Sequence, residues 1–528
     1  MSSRLPSVTR FKALHKDLCF ERAFPRTLVQ GREANDQLGR YHETVDKLVA
    51  AQRRELADSG IAGTLVHYRF SFDVARWLAR VAPGAVSIDW AELDDTLALD
   101  ELLHHILQPA EGDWFSSGYV TTREWIDAAR SGRKGTDFDW LLAQLEDRRS
   151  RPFLRELYDT ADIPLAWNLG NDIYSKSTNV FPVARIHARE NLRPRPRQVK
   201  KEIQRPVRSI SRLPIEQGSR LIDVAMASLA ARHRETYHFN FANPEEVYLA
   251  NVGEGIAVAV FGLLPEYRFA LECTLGYLIL ANGVPIGYGG ASVLFKQVNT
   301  GINIFDEYRG SEASYLWVQV MRVYHALVGC NRFIASTYQI GSDNSEALQS
   351  GAFWFYYRLG YRPLDAAIRR LASNEEAKRK RNRDYRSPTK VLRKLASSDM
   401  HLALPGSAPS ELFNEEWLAT SSRLASDALA AVCEKTRNAA ADRVASRLMH
   451  DLSVRSLRSW NRAELAALRA IAPYFAALQP SDWSTDSKRL LRKILRAKGG
   501  RHELVSARLM AQNDGLLQVF RRACKEAD

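Results

Sequence analysis

Cysteine is scarce in this chain of 528 residues, and its five cysteines stand far apart. No two of them form a CxxC pair, and their number is odd. The sequence therefore argues against a disulfide framework and against a cysteine-based zinc site, and it fits a reducing compartment.

Long apolar runs are also missing. No uninterrupted run approaches the ~20 residues that a membrane-spanning helix needs. The first 22 residues contain no apolar core of signal-peptide length. We therefore expect a soluble, cytoplasmic protein without a membrane span.

The charge of the chain is strongly one-sided, with 74 Lys and Arg against 61 Asp and Glu and a formal net charge of +13. Such an excess can indicate an acidic partner, such as nucleic acid, an anionic membrane surface or a phosphorylated ligand. Scattered, solvated arginines explain the excess equally well. The apolar content of 45% is ample for a buried core.

Composition and patterning divide the chain into five segments, and its length predicts two to four domains. Residues 1–188 have mainly helical periodicity, and 189–214 form a basic, proline-rich linker. Residues 215–370 alternate strand and helix patterns. A charged linker, 371–394, precedes an Ala- and Leu-rich helical region at 395–528. The predicted fold class is a mixed α/β core flanked by helical regions.

Two adjacent histidines, His104 and His105, lie in a predicted helix of the first segment. Neighbouring residues on a helix point about 100° apart, so these two side chains cannot readily share a metal ion. A structural or solvent-facing role is favoured, and we predict no metal site.

The linker at 189–214 combines four prolines with a dense series of Arg and Lys. These cations could contact nucleic-acid phosphates. A solvated linker or a strap over the surface is the favoured interpretation, so nucleic acid is a possible partner but not the expected one.

The clearest turn signal in the chain is Asn282-Gly283, which fits the left-handed angles of a tight two-residue hairpin turn. The strand that follows contains Gly287, Gly289 and Gly290. Glycines inside a strand indicate a bulge or the close approach of another backbone or ligand, and a twisted corner of the sheet is the alternative.

The most informative stretch is 301–363. It predicts a strand at Gly301–Phe305, a sharp turn, a helix at Ser311–Gly329 and a strand at Phe333–Thr337. A second helix follows, for which Asp343 with a glutamate three residues later predicts the cap. Strands that alternate with helices over short loops are typical of a mixed α/β layer.

Two short motifs in this stretch carry a resemblance. Tyr308-Arg309-Gly310 precedes a helix, and Ala352-Phe353-Trp354-Phe355-Tyr356-Tyr357-Arg358-Leu359-Gly360-Tyr361 closes the unit. In this order and after a hairpin, they resemble the GNAT-type N-acyltransferases. The resemblance covers about residues 215–365, under a third of the chain.

The resemblance implies that acyl-coenzyme A, most simply acetyl-coenzyme A, is the donor substrate. Members of the family hold its pyrophosphate at a helix N-terminus, where the helix dipole favours anions. The implied donor-binding residues are Ile302, Asn303, Ile304, Arg309, Gly310, Ser311, Ser314 and Asn344.

This sequence departs from the family's phosphate-binding motif, because Glu312 stands where the first key glycine is expected. Two unit charges about 4 Å apart interact by about 4 kcal/mol at an effective dielectric constant of 20. We therefore expect the carboxylate to repel a pyrophosphate unless it turns away from it.

For catalysis, the resemblance implies that Tyr356 protonates the leaving thiolate. A further aromatic of the core is the alternative for this residue, and Tyr357 is a weaker candidate. Asp306 and Glu307 lie at the strand end and could take the proton of the acceptor amine, although surface turn acids explain them equally well.

The predicted function is the transfer of an acyl group, as in an N-acetyltransferase, from acyl-coenzyme A to an amine of a small molecule or protein. One alternative is a non-catalytic module of the same fold that binds protein or nucleic acid. Another is a transferase whose acyl donor is bound to a carrier macromolecule.

Overall fold

A computed structural model of the chain describes residues 7–93, 95–147, 153–171, 173–407 and 412–527. Its helices are α1 Val8–Ala23, α2 Leu28–Gly39, α3 Tyr41–Asp46, α4 Ala50–Glu55, α5 Phe72–Val81, α6 Leu97–His104, α7 Pro109–Phe115, α8 Thr122–Ala129, α9 Asp137–Asp147, α10 Phe153–Ala161, α11 Val199–Gln204, α12 Ile215–Ala230, α13 Tyr237–Asn240, α14 Ala313–Val328, α15 Thr337–Ile340, α16 Ser345–Ser350, α17 Ala352–Arg358, α18 Ala366–Arg381, α19 Thr389–Leu395, α20 Glu415–Ala430, α21 Arg437–Asp451, α22 Arg462–Ala476, α23 Thr485–Lys498, α24 Glu503–Ala511 and α25 Asp514–Ala527. Its strands are β1 Leu65–Tyr68, β2 Val86–Ile88, β3 Leu165–Asn168, β4 Ser209–Arg212, β5 Ala242–Gly253, β6 Ile256–Leu263, β7 Cys273–Ala281, β8 Val284–Leu294, β9 Gln297–Thr300, β10 Asn303–Ile304, β11 Arg332–Ala335, β12 Arg362–Pro363 and β13 Met400–Ala403.

The chain divides into two compact units. The first consists of Met1–Glu190, Arg220–Asn240 and Ala281–Pro285, and the second of Asn191–Ser219, Phe241–Leu280 and Ile286–Asp528. The domain boundaries predicted from composition stay predictions.

The first unit contains the predicted helices and a small antiparallel sheet with strand order β1-β3-β2. Trp77 of α5 packs edge-on against Trp167 of β3, with ring centroids 6.2 Å apart. The rings of His104 and His105 pack edge-on against phenylalanines, each with centroids 5.1 Å apart. These contacts agree with a structural role for the two histidines.

The second unit is built on a mixed sheet, so the predicted mixed α/β class is confirmed at that level. Its strand order is β12-β13-β11-β9-β8-β7-β6-β5-β4, and β10 pairs with β8. Most neighbours are antiparallel, but β9 and β11 run parallel because the long helix α14 connects β10 to β11. The core beneath α14 contains Leu316, Trp317 and Val320, all fully buried as their helical spacing predicts.

The predicted hairpin turn is confirmed. Asn282 and Gly283 connect β7 to β8 with φ angles of 50° and 82°, which are the left-handed angles of a tight turn.

The C-terminal helices form a hydrophobic cluster with the edge of β8, as part of the second unit. Phe295, which follows β8, contacts Phe413 and Phe520 with ring centroids 5.6 and 5.8 Å apart. The Ala- and Leu-rich composition of this region correctly predicted helices, and the structure adds the short strand β13.

Two segments predicted as linkers contain regular structure. The basic segment 189–214 includes α11 and β4, because Ile203 is buried and β4 pairs with β5. The charged segment 371–394 is largely helical: α18 buries Ile368, Ala372 and Glu375 on one face. The prediction of linkers from charge density was wrong for these elements, because a few buried residues on one face are enough to pack a charged helix against the protein.

Among the described residues, no helix combines the length and the apolar character that crossing a bilayer requires.

Candidate active site

The parallel strands β9 and β11 pair for only three residues and then separate. Pairing runs from Gln297 with Arg332 to Asn299 with Ile334. Beyond that point the chain continues along β8 in the same antiparallel register, where Asn303 pairs with Tyr288 and β10 forms. The sheet therefore opens between β10 and β11, which we call the branch point.

Glycines on β8 allow the backbone at 301–303 to lie close to this strand. A Cβ atom on Gly287 would lie 2.6 Å from the carbonyl oxygen of Asn303, and one on Gly289 would lie 2.6 Å from that of Gly301. The Tyr277 hydroxyl donates a hydrogen bond to the same Gly301 carbonyl. Close approach of another backbone, one of the two predicted explanations, thus accounts for these two glycines.

Tyr356 lies at the branch point. It belongs to α17, it is 2% exposed, and a hydrogen bond links it to the backbone of Ile302. Burial raises the pKa of the Tyr356 phenol, and the hydrogen bond from Ile302 opposes this rise. The phenol is therefore protonated at neutral pH and can act as a proton donor, not as a base.

Aromatic rings enclose Tyr356. The rings of Trp317 and Tyr361 lie edge-on to it, with centroids 5.9 and 5.3 Å away. The Tyr361 hydroxyl lies 3.1 Å from the Met321 sulfur, inside the core. The neighbouring Tyr357 points elsewhere, with its hydroxyl 3.3 Å from a carboxylate oxygen of Glu376. The two tyrosines thus have different surroundings, and of the two it is Tyr356 that is hydrogen-bonded to the branch-point backbone.

The turn between β10 and α14 holds the two predicted acids in different settings. Asp306 is exposed and its carboxylate lies 2.9 Å from the guanidinium of Arg309. Arg309 also forms an ion pair with Glu346, so two carboxylates already neutralise its charge. Glu307 is 8% exposed. Gly310 has a φ of 85°, an angle that glycine adopts without strain.

The N-terminus of α14 differs from an open phosphate-binding loop. Glu312 is the N-cap residue of the helix, is 3% exposed, and accepts a hydrogen bond of 2.5 Å from the backbone N–H of Arg193. The carboxylate is therefore engaged with the basic segment, and its predicted repulsion of a pyrophosphate stays a prediction. Ser311 and Ser314 are partly buried beside it, and the Ser311 hydroxyl is buried without a hydrogen-bond partner among the described residues.

The segment that contacts Glu312, residues 191–208, we call the strap. The Arg193 guanidinium pairs with Glu254, and the Arg195 guanidinium donates to the carbonyl of Arg358 at 2.8 Å. The strap is thus attached near the first turn of α14 and at the last turn of α17.

Asn344 has a local structural role. Its side chain accepts the N–H of Ala347 at 3.0 Å and caps α16. The predicted cap residue Asp343 precedes the helix instead, with a φ of 52°. Asp343 was therefore the wrong cap, because the predicted capping pair placed the start of the helix one residue too early.

The structure thus brings together some of the predicted site residues and not others. Ile302 and Tyr356 meet at the branch point, and Asp306 and Arg309 form an ion pair in the adjacent turn. The Asn344 side chain instead accepts a hydrogen bond from the helix that it caps, α16. The contribution of Tyr277 was missed, since its strand position carries no signal for a hydrogen bond 24 residues away.

A second polar cleft, of about 630 Å³, lies in the first unit and was also missed. Asp58 lines this cleft and accepts a hydrogen bond of 2.7 Å from the backbone N–H of His67. The same carboxylate oxygen lies 3.1 Å from His67 Nδ1. His67 Nε2 lies 3.9 Å from Asp89. These residues are widely separated from the acyltransferase-like motifs in sequence, and periodicity does not single them out.

Among the described residues, no group of three or more His, Cys, Asp or Glu side chains could hold a metal ion.

Comparison with known proteins adds no family assignment. No family model, curated protein or solved structure matches the chain.

Proposed function

We propose that the second unit is an N-acyltransferase that binds an acyl thioester at the branch point and transfers the acyl group to an amine. The observation that carries the proposal is the position of Tyr356, buried and hydrogen-bonded to the backbone of Ile302 where β9 and β11 separate. A GNAT-like core remains part of the proposal.

The edge of β10 suits the pantetheine arm of the donor. One side of β10 pairs with β8, and no strand pairs with its other side among the described residues. Backbone groups on an open strand edge can hydrogen-bond an extended ligand, as in peptide recognition by strand addition. The amide groups of a pantetheine arm along Ile302–Ile304 would use them in this way.

The chemistry requires few side chains. The amine nitrogen attacks the thioester carbonyl carbon, the carbon–sulfur bond breaks, and the thiolate takes the phenolic proton of Tyr356. The proton lost by the amine passes to a base, for which Asp306 and Glu307 are the candidates. The Tyr356 phenol is protonated throughout the neutral range, so it has a proton to donate.

Acyl-coenzyme A is the proposed donor, and the Ser311 hydroxyl at the N-terminus of α14 has an unused hydrogen-bonding capacity for its phosphates. Isothermal titration with acetyl-coenzyme A and with its S-acetylpantetheine fragment tests this assignment. We expect both to bind, with weaker binding by the fragment. Tyr357→Phe, which alters a phenol of the same helix with different contacts, should bind as the wild type does.

A non-catalytic module of the same fold is the second candidate, and the position of Glu312 favours it. Glu312, the N-cap residue of α14, is buried and its carboxylate contacts the strap, so a pyrophosphate would have to displace protein contacts there. Absence of binding by acetyl-coenzyme A and by S-acetylpantetheine would favour the module. Binding of the fragment alone would favour a transferase with a carrier-bound donor.

A further inference from the structure

An open groove of about 580 Å³ runs along the strap, at the surface of the second unit. It is lined by Pro196, Arg197, Gln198, Lys201, Glu202, Gln204 and Arg205. We call it the strap groove. None of these lining residues is among those assigned above to acyl transfer.

Buried contacts hold the strap groove in place. Arg322 of α14, whose side chain is 2% exposed, donates to the carbonyls of Arg205 and Pro206. Gln319 of the same helix donates to the Glu202 carboxylate at 3.0 Å. The groove is therefore part of a packed surface. A ligand there meets cations on a fixed backbone, which lowers the conformational entropy lost on binding.

The charges in the strap groove do not balance. Glu202 is the single acid among the described lining residues, and it already pairs with Arg205 at 3.0 Å and faces Arg322 at 3.7 Å. Arg197 and Lys201 are exposed, and neither has an ion-pair partner among the described residues. Two cations are thus available for an external anion.

Further cations extend this surface along the chain. Lys200 and Arg208 are also exposed, so five Lys and Arg stand against one acid between residues 197 and 208. Guanidinium and ammonium groups bind phosphate oxygens through charge-assisted hydrogen bonds. An open groove with cations along its length suits a chain of phosphates better than it suits a small enclosed ligand.

We propose that the strap groove binds the phosphodiester backbone of a nucleic acid. The net charge of +13 would assist the approach of such a polyanion. Among the residues that the structure describes, no aromatic side chain lines the groove, so none of them stacks on bases there. Binding should therefore depend on phosphate charge and not on base sequence.

The test is fluorescence anisotropy with the full chain and two labelled 20-nucleotide RNAs of unrelated sequence, each alone and annealed to its complement, over a salt series. We expect binding of at least one form, equal for two unrelated sequences, that weakens as salt increases. Each phosphate contact contributes about 0.7–0.9 to the slope of log affinity against log salt. The double variant Arg197→Gln and Lys201→Gln should lower that slope by ~1.5 and weaken binding about tenfold at low salt.

The matched control is the double variant Lys435→Gln and Arg462→Gln, which removes two exposed cations elsewhere in the second unit. It changes the net charge equally and should retain the wild-type slope. Equal loss in both double variants would overturn the proposal, since only net charge would then matter. Absence of salt-dependent binding to both RNA forms, or binding of inorganic pyrophosphate at the groove without RNA binding, would also overturn it. Thermal unfolding of each variant confirms that it is folded.

Discussion

At the scale of single residues, Glu312 shows how position changes the meaning of a charge. From residue type alone, its carboxylate was expected to repel a pyrophosphate. In the structure it is buried and accepts the backbone N–H of Arg193, which lies 119 residues earlier in the chain. A partner so distant in sequence cannot be read from the local motif.

Replacing Glu312 tests its role in attaching the strap. Glu312→Ala removes the acceptor of the Arg193 N–H and should cost about 1–3 kcal/mol of unfolding free energy. Hydrogen exchange across 191–198 should accelerate, whereas Glu346→Ala, which removes an exposed carboxylate nearby, should leave it unchanged. Wild-type exchange rates in Glu312→Ala would show that this contact does not hold the strap.

The same reasoning limits what the sequence could predict about the site. Tyr356 and Ile302–Ile304 were selected by resemblance to an ordered set of short motifs, and two of them do meet at the branch point. Tyr277, His67 and the capping role of Asn344 depend on tertiary contacts or on the exact helix start. Local patterns do not determine these features.

At the scale of elements, the branch point depends on the close contact between β8 and Gly301, which precedes β10. Gly289→Ala would place a methyl group 2.6 Å from the Gly301 carbonyl oxygen and 2.5 Å from the Tyr277 hydroxyl. Because a backbone atom must move, we expect a loss of about 1–3 kcal/mol in unfolding free energy. Denaturant unfolding measures it.

A suitable control is Gly112→Ala in the middle of α7, where an added Cβ meets no atom within 4 Å. Alanine has the higher helix propensity, so this variant should gain about 0.5–1 kcal/mol. If Gly289→Ala proves as harmless as the control, the close packing that we describe at the branch point is wrong.

Helix and strand periodicity succeeded for elements with one clear apolar face. The helix α14 was predicted in this way. The hairpin β7–β8 was predicted from its Asn282-Gly283 turn, and the C-terminal helices from their Ala- and Leu-rich composition. Prediction failed for α11, β4 and α18. They lie in charge-rich segments, and the few residues that these segments bury could be identified only from the neighbouring element that packs against them.

At the scale of the whole molecule, the C-terminal helices of the second unit are joined to its sheet by a buried carboxylate. Glu246 of β5 accepts the backbone N–H groups of Glu503 and Leu504 at 2.9 and 2.8 Å. It also pairs with Arg268 at 3.4 Å, and both side chains are almost fully buried. The two N–H groups lie more than 250 residues after Glu246 in the chain, so no local pattern predicts this contact.

Glu246→Ala should cost about 3–5 kcal/mol of unfolding free energy, because it removes the acceptor of two buried backbone N–H groups and one of the carboxylates that face the buried Arg268. The neighbouring Glu245 provides the control, since its pair with Arg501 is largely solvent-exposed. Glu245→Ala should cost no more than about 1 kcal/mol. Similar losses in both variants would remove Glu246 from this role.

The pH dependence follows from the same burial, which raises the pKa of Glu246 to about 7. The folded protein then holds this proton more tightly than the unfolded chain, whose pKa is near 4.5. The stability that this group contributes is therefore present below pH 4.5 and is lost as pH rises through 7. Glu246→Gln cannot titrate, so its unfolding free energy should fall less than that of the wild type over this interval.

The central claim is acyl transfer at the branch point, and turnover tests it most directly. The measurement is the release of free thiol from acetyl-coenzyme A in the presence of a panel of primary amines, for the wild type, Tyr356→Phe and Tyr357→Phe. We predict amine-dependent thiol release, with kcat about 10²-fold lower in Tyr356→Phe, little change in donor binding, and near wild-type kcat in Tyr357→Phe. Equal rates in all three proteins, or no amine-dependent thiol release from the wild type, would contradict the account.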